Sequence, residues 1–299
     1  MIFSITLVAS QKPLSIGHLA EAETLLQNAG LMPAGKPVWL APHKAADIGL
    51  TTRPDSLHIR ALRQFFHVDA IDVFVNAQKH RRKKLLIADM DSTIVAGETL
   101  DELAARAGVK DKVAPVTERA MRGELDFKQA LRERVALLRG LPESAVQKTL
   151  AKTELNPGAA AFVQVMKKNG ATCVLVSGGF TLFTGAFAQK AGFDRHHGNL
   201  LQLEEGVLTG KVGEPILDKD SKVAFLQQYR DELGLKPEDV LAIGDGANDL
   251  PMLQMAGLGI GYHPKPLLEE SLDNCIIHGD LTAALYAQGY TEQDLKQVA

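Results

Sequence analysis

Two aspartates one residue apart, in Asp89-Met90-Asp91-Ser92-Thr93, follow the apolar run Leu85-Leu86-Ile87-Ala88. In an extended segment, side chains two apart point the same way, so both carboxylates face one spot. Like charges that close raise one of the two pKa values, which leaves an ionised nucleophile beside a protonated acid. By itself the pair reads equally well as turn or cap aspartates. A second motif, Ser177-Gly178-Gly179-Phe180, follows Cys173-Val174-Leu175-Val176. Its hydroxyl suits a phosphoryl oxygen, and its glycines let backbone approach an anion at a helix start. A third, Gly244-Asp245-Gly246-Ala247-Asn248-Asp249, follows Val240-Leu241-Ala242-Ile243. Its carboxylates suit Mg²⁺, a hard cation that takes few protein ligands. Lys222 lies between the last two motifs, opening a predicted helix at Ser221–Arg230.

The elements that must position these residues follow from the apolar pattern. Short continuous apolar runs are strands buried on both faces of a parallel sheet, and two more occur at 258–260 and 275–277. Alternating helices make this a doubly wound α/β domain, whose strand ends share one edge. The three motifs therefore meet there, and together they weigh far more than any one alone. The crossover after the first strand is much longer than a β-α-β connection needs. Its segments Leu100–Ala107, Val113–Arg122, Phe127–Arg139 and Glu143–Lys152 read as helices, so a helical cap is inserted at about 95–155. On it, Thr99 and Glu102 predict a capping box that leaves Glu98 outside the helix. Arg134 falls on the apolar stripe of positions 127, 130, 131, 135 and 138, against the binary pattern. A carboxylate for an ammonium and a guanidinium for a carboxylate would specify an amino acid.

The first eighty residues form a separate unit in a β-α-β-β-α-β order, the ferredoxin-like pattern. The basic run His80-Arg81-Arg82-Lys83-Lys84 reads as a solvated linker to a catalytic domain over 81–299. With 299 residues and a net charge of −3, composition gives no support for nucleic-acid binding. No apolar stretch is long enough to span a bilayer, and the start lacks a basic leader. Two distant cysteines, Cys173 and Cys275, argue against a disulfide framework. A soluble cytoplasmic protein is expected. His196-His197 lack a third metal ligand and read as solvated in a polar loop. Residues 203–212 read as a β-hairpin flap, and Gly257-Leu258-Gly259-Ile260-Gly261 lacks dinucleotide-fingerprint spacing.

The order DxDxT, Ser-Gly, Lys, GDxxxD resembles the haloacid dehalogenase superfamily. Asp91, Asp245 and Asp249, which dehalogenation does not require, favour its phosphatase branch. Asp89-Met90-Asp91-Ser92-Thr93, Glu98, Leu125-Asp126-Phe127 leading to Arg134, Val176–Phe180 and Gly244–Asp249 look like its phosphoserine-hydrolysing members, over roughly Leu85 to Asp280. The resemblance implies that Asp89 is the nucleophile and Asp91 the general acid and base. It implies Mg²⁺ held by Asp89, Asp245 and the main-chain carbonyl of Asp91, with Asp249 in support. Ser177, Gly178, Lys222 and Asn248 would cradle the phosphoryl group, and Glu98 and Arg134 the amino acid. The N-terminal unit resembles ACT domains, which suggests a regulatory or dimerisation role and a homodimer. Phosphoryl transfer to another alcohol, or amino-acid binding on a retired phosphatase scaffold, are the competing expectations.

Overall fold

The computed structural model describes residues 2–122 and 124–298. The chain opens with β1 (Phe3–Ala9), α1 (Ile16–Asn28), β2 (Val38–Ala41), β3 (Ala45–Leu50), α2 (Ser56–Phe66) and β4 (Ile71–Ala77). These strands form one antiparallel sheet in the order β2-β3-β1-β4, the ferredoxin-like arrangement expected of a β-α-β-β-α-β segment. Ser15 and Asp55 cap the two helices by accepting from backbone N–H groups three residues on.

The second sheet is built from β5 (Leu85–Ala88), then β6 (Thr172–Phe180) and β7 (Arg195–Asn199). Helices α3 (Thr99–Arg106), α4 (Lys110–Met121), α5 (Phe127–Ala136) and α6 (Glu143–Lys152) form the cap between β5 and β6, ahead of α7 (Ala159–Lys168). After β6 and its helix α8 (Thr181–Ala191), the hairpin β8 (Leu201–Glu204) and β9 (Val207–Val212) leads into α9 (Lys219–Glu232). The remaining strands are β10 (Val240–Gly244), β11 (Leu258–Tyr262) and β12 (Cys275–Ile276), with α10 (Leu250–Met255) and α11 (Pro266–Ser271) between them. Helices α12 (Ala283–Ala287) and α13 (Glu292–Lys296) close the chain. The strand order is β12-β11-β10-β5-β6-β7, with every neighbouring pair parallel. The strands ending in the three motifs, β10, β5 and β6, are thus side by side.

Several readings change. Helix α5 stops at Ala136 because the next residues turn toward the hairpin, where Gly140 N–H donates to the Leu208 carbonyl and Leu208 N–H to that of Leu141, each at 2.8 Å. His196 and His197 lie in β7, not in a loop; His197 stacks on Phe225 at 3.8 Å and bonds the Tyr229 hydroxyl. Cys173 and Cys275 are free and buried, as small hydrophobes.

The largest correction concerns the basic run. Arg81 and Lys83 are buried, in the joint between the two sheets. The Arg81 guanidinium grips the Asp47 carboxylate at 2.5 and 2.7 Å and also donates to the carbonyl of Ala287. Lys83 Nζ donates to the His80 and Glu238 carbonyls, both at 2.9 Å. Asp72 accepts three backbone N–H groups, from Ile277, His278 and Gly279, at 2.8–3.0 Å. Arg63 caps the Leu272 carbonyl, and Asn274 Oδ1 takes the N–H of Val75. Val8, Leu40, Ala41, Ala45 and Phe74 share one apolar core with Leu86, Leu285 and Tyr286, so the first eighty residues are packed onto the catalytic sheet.

Candidate active site

Asp89 leaves β5 where its N–H donates to the Ile243 carbonyl of β10 at 3.0 Å, tying the first motif to the third. Ser92 then takes a left-handed backbone (φ 55°), uncommon for a side-chain-bearing residue, and the chain curls back. Asn156 fixes that curl, its amide donating to the carbonyls of Thr93 and Val95 at 2.8 and 3.1 Å. The curl brings Glu98 over the site, where Ser92 Oγ donates to Glu98 Oε1 at 3.0 Å.

The capping box on α3 does not form. Glu98 is the N-cap, without a side-chain cap bond, and Thr99 is already helical. Its N–H donates to Asp91 Oδ1 at 2.8 Å instead, so an aspartate from the strand end serves the helix start that Thr99 was expected to serve. Burial raises the Asp91 carboxyl to about 6, against the opposing pull of that N–H. Ser177 Oγ lies 3.4 Å from Asp91 Oδ2 and accepts from Gly179 N–H at 2.8 Å. A Cβ on Gly179 would stand 2.9 Å from Asp91 Oδ2 and 3.1 Å from Ser177 Oγ, so a side chain there would push on both site groups.

Lys222 Nζ sits 2.6 Å from both Asp89 Oδ1 and Asp249 Oδ1, all three side chains being buried. Burial works to lower the lysine, and the two carboxylates outweigh it and hold it above its ordinary value. Asp249 Oδ2 accepts the N–H groups of Asp245 and Gly246 at 3.2 and 3.1 Å, so Asp249 is engaged on both oxygens by the protein. Asp89, Asp245 and Asp249 each offer an oxygen within 4.8 Å of the others. Burial and the neighbouring Asp249 carboxylate push Asp89 well up, a crowding of negative charge that a bound cation would relieve. Among the described residues, no protein hydrogen bond reaches Asp89 Oδ2 or Asp245 Oδ1. This all-oxygen donor set with two oxygens open fits a hard divalent cation.

A cavity of about 560 Å³ lies between this cluster and the cap, lined by Asp89, Asp91, Glu98, Arg134, Ser177 and Asp245, with Lys222 and Asn248 also on its wall. The predicted site residues that line it thus come from strand ends and cap alike. Arg134 is half-buried there rather than in the cap core, and burial lowers its pKa from the ordinary value while Asp101 and Glu98 oppose. Phe127 and Lys265 also line the cavity and were not among the expected site residues. Phe127, assigned to the apolar stripe, is 41% exposed, and its ring would stand 3.0 Å from a Cβ on Gly178. It lines both this cavity and a second one of about 530 Å³ toward Lys128 and Asp218. Lys265 Nζ lies 2.9 Å from Asp245 Oδ2; a lysine between two prolines after β11 carried no motif that would have marked it.

A family model for haloacid dehalogenase-like hydrolases matches residues 86–254, and the chain belongs to that family. Within it, the chain is 44% identical over 197 residues to the phosphoserine phosphatase of Archaeoglobus fulgidus, covering 66% of this chain and 57% of that protein. It is 47% identical to the phosphoserine phosphatase of Streptococcus thermophilus, over 67% of this chain and 93% of the relative. The chain thus spans only somewhat more than half of the archaeal relative and nearly all of the streptococcal one. A HAD family hydrolase from Salmonella enterica serovar Typhi superposes with a TM-score of 0.82 at 28% identity, over 95% of this chain and 98% of that one. Among the described residues no helix is long and apolar enough to cross a membrane.

Proposed function

We propose that the chain hydrolyses O-phospho-L-serine to L-serine and phosphate, with Mg²⁺, through an aspartyl-phosphate on Asp89. The observation that supports this most is the buried cluster of Asp89, Asp245, Asp249 and Lys222 beneath a cap that turns Glu98 and Arg134 toward it. The names of the two relatives above point to the same substrate.

In this reading Asp89 attacks phosphorus in line with the serine oxygen, and the P–O bond to serine breaks as the bond to Asp89 forms. Asp91, held by Thr99 N–H at 2.8 Å, gives its proton to the departing oxygen. It then takes a proton from the water that cleaves the aspartyl-phosphate, which returns both aspartates to their starting states. Lys222 and Ser177 neutralise and orient the phosphoryl oxygens, and Asn248 with the Gly178 backbone completes their cradle. Glu98 receives the substrate ammonium, and the Arg134 fork its carboxylate. Asp89, Asp245 and the Asp91 carbonyl would hold Mg²⁺, with Asp249 in support. When bound, the ion supplies charge neutralisation at the phosphoryl group.

Free, buried cysteines fit a reducing cytoplasm. Residues 1–80 are read as an ACT-like unit with a regulatory or pairing role, tested by adding L-serine to the assay and by sedimentation.

The deciding experiment is phosphate release from a panel of phosphomonoesters, with Mg²⁺ and with a chelator. Phosphoserine should be the preferred substrate and the chelator should stop the reaction; brisk turnover of a sugar phosphate instead would overturn the substrate. Asp89→Asn should lower turnover by roughly a thousandfold or more while the thermal melt stays cooperative.

A further inference from the structure

Lys265 stands apart from the roles above. It follows β11 at the same sheet edge, starts α11 as its N-cap, and is flanked by Pro264 and Pro266. Its backbone N–H donates to the Asp245 carbonyl at 3.0 Å, and its Nζ meets Asp245 Oδ2 at 2.9 Å. One residue thus grips Asp245 by main chain and side chain at once. The two partners differ sharply in freedom. Asp245 is buried, whereas the Lys265 side chain is 62% exposed on a flexible four-carbon stem. Lys222, in contrast, is buried and locked between two carboxylates. Electrostatically, three carboxylates act on Lys265. Burial opposes its charge, and Asp245, then Glu98 and Asp249, hold the ammonium above its ordinary value.

Asp245 has two oxygens, and one of them is committed to Lys265. Among the described residues, Lys222 is the one buried cation paired with these carboxylates, and Lys265 is the exposed one. A cation brought to Asp245 meets this ammonium as a rival for the carboxylate and as a like charge a few ångströms away.

We propose that Lys265 is a tethered counter-ion that competes with the divalent cation for Asp245 and sets how tightly the site holds that ion. The ion can enter at the open Oδ1, where the ammonium on Oδ2 faces it as a like charge across one carboxylate, and the exposed stem of Lys265 lets that ammonium swing away into solvent. Lys265 acts through Asp245 and is a positioning residue, not a catalytic one. The inference rests on the proposed metal site and adds a residue that weakens that site rather than builds it.

The test measures ion binding directly on the full-length protein, without turnover. Mg²⁺ binding is followed by titration calorimetry, and Mn²⁺ by the loss of its free electron-spin-resonance signal, at low ionic strength. Lys265→Met should tighten both dissociation constants on the order of tenfold, because removing a nearby like charge lifts a penalty of that size. Lys265→Arg, which keeps the charge, should bind like the parent protein. The gain should shrink in salt near 0.5 M, where the Debye length falls to a few ångströms. Equal or weaker binding in Lys265→Met, with a normal melt, overturns the competition. Absence of saturable binding in the parent protein and in Lys265→Met alike overturns the metal site itself. The side chain is exposed, so the variant should fold, and its thermal melt verifies this.

Discussion

The parallel sheet carries the N-terminal unit on one side and the cap on the other, and one apolar core runs into both, so the joints differ in where their charged pairs sit. Toward the N-terminal unit the central polar groups are buried: the Asp47–Arg81 pair, and Asp72 filled with three N–H groups, with the exposed Arg53–Asp273 pair at the rim. Toward the mouth of the cap the pairs are exposed. There Arg132 reaches Glu214 at 2.6 Å and Lys128 reaches Asp218 at 3.3 Å, with side chains 22–60% exposed. Buried pairs resist separation because removing either partner strands a charge, whereas exposed pairs exchange readily with water. The buried pairs of the first joint therefore resist separation more than the exposed pairs at the cap mouth.

The largest effect expected is from deleting residues 1–80. It would bare the apolar face of Leu285 and Tyr286 and leave the N–H groups of residues 277–279 without the Asp72 carboxylate. The truncated chain should lose its cooperative melt, although two thirds of this chain suffices to span nearly all of the streptococcal relative. A cooperative melt with full turnover would show the joint to be dispensable. Next, Arg81→Met should cost about 3–5 kcal/mol in urea unfolding by stranding Asp47. Its KM should be unchanged, and adding Asp47→Leu should restore part of the loss.

A smaller effect concerns pH. Burial lowers the Lys83 ammonium to about 8 in the folded protein, from an ordinary 10.5. Between those values the unfolded chain binds more protons than the folded one, so stability should rise with pH across that window, by up to about 3 kcal/mol. Lys83→Met should flatten that slope relative to the parent protein in urea melts at pH 8 and 10; an equal slope in both proteins would remove Lys83 as its source. Smallest is Arg132→Ala at the mouth. It should change stability by less than about 1 kcal/mol, and less still in high salt, as exposed pairs do. A loss comparable to Arg81→Met would erase the contrast between the joints.

What could be read from the sequence follows the same division. Asp89, Ser177 and Asp245 were legible because each ends an apolar run, and a parallel sheet brings such ends to one edge. The ferredoxin-like order was legible for the same reason, since period and turn residues are local signals. Arg81 was misread because its partner, Asp47, lies 34 residues upstream, and burial cannot be seen in a run of bases. The capping role given to Thr99 failed because Asp91, from another element, supplies the acceptor. Phe127 fits an apolar stripe by spacing, yet the stripe does not say where the core ends and the pocket begins. Lys265 needed the fold, because only the sheet order brings the end of β11 beside Asp245.

One detail of the N-terminal joint reaches beyond folding. Strand β12 is two residues long and ends the parallel sheet. A sheet border of this kind is a template on which another chain can add a strand. Here Asn274 Oδ1 takes the N–H of Val75, and Asp72 takes the three that follow β12, so the border is spent on the protein's own N-terminal unit. The first eighty residues therefore occupy the border on which an incoming strand would otherwise pair.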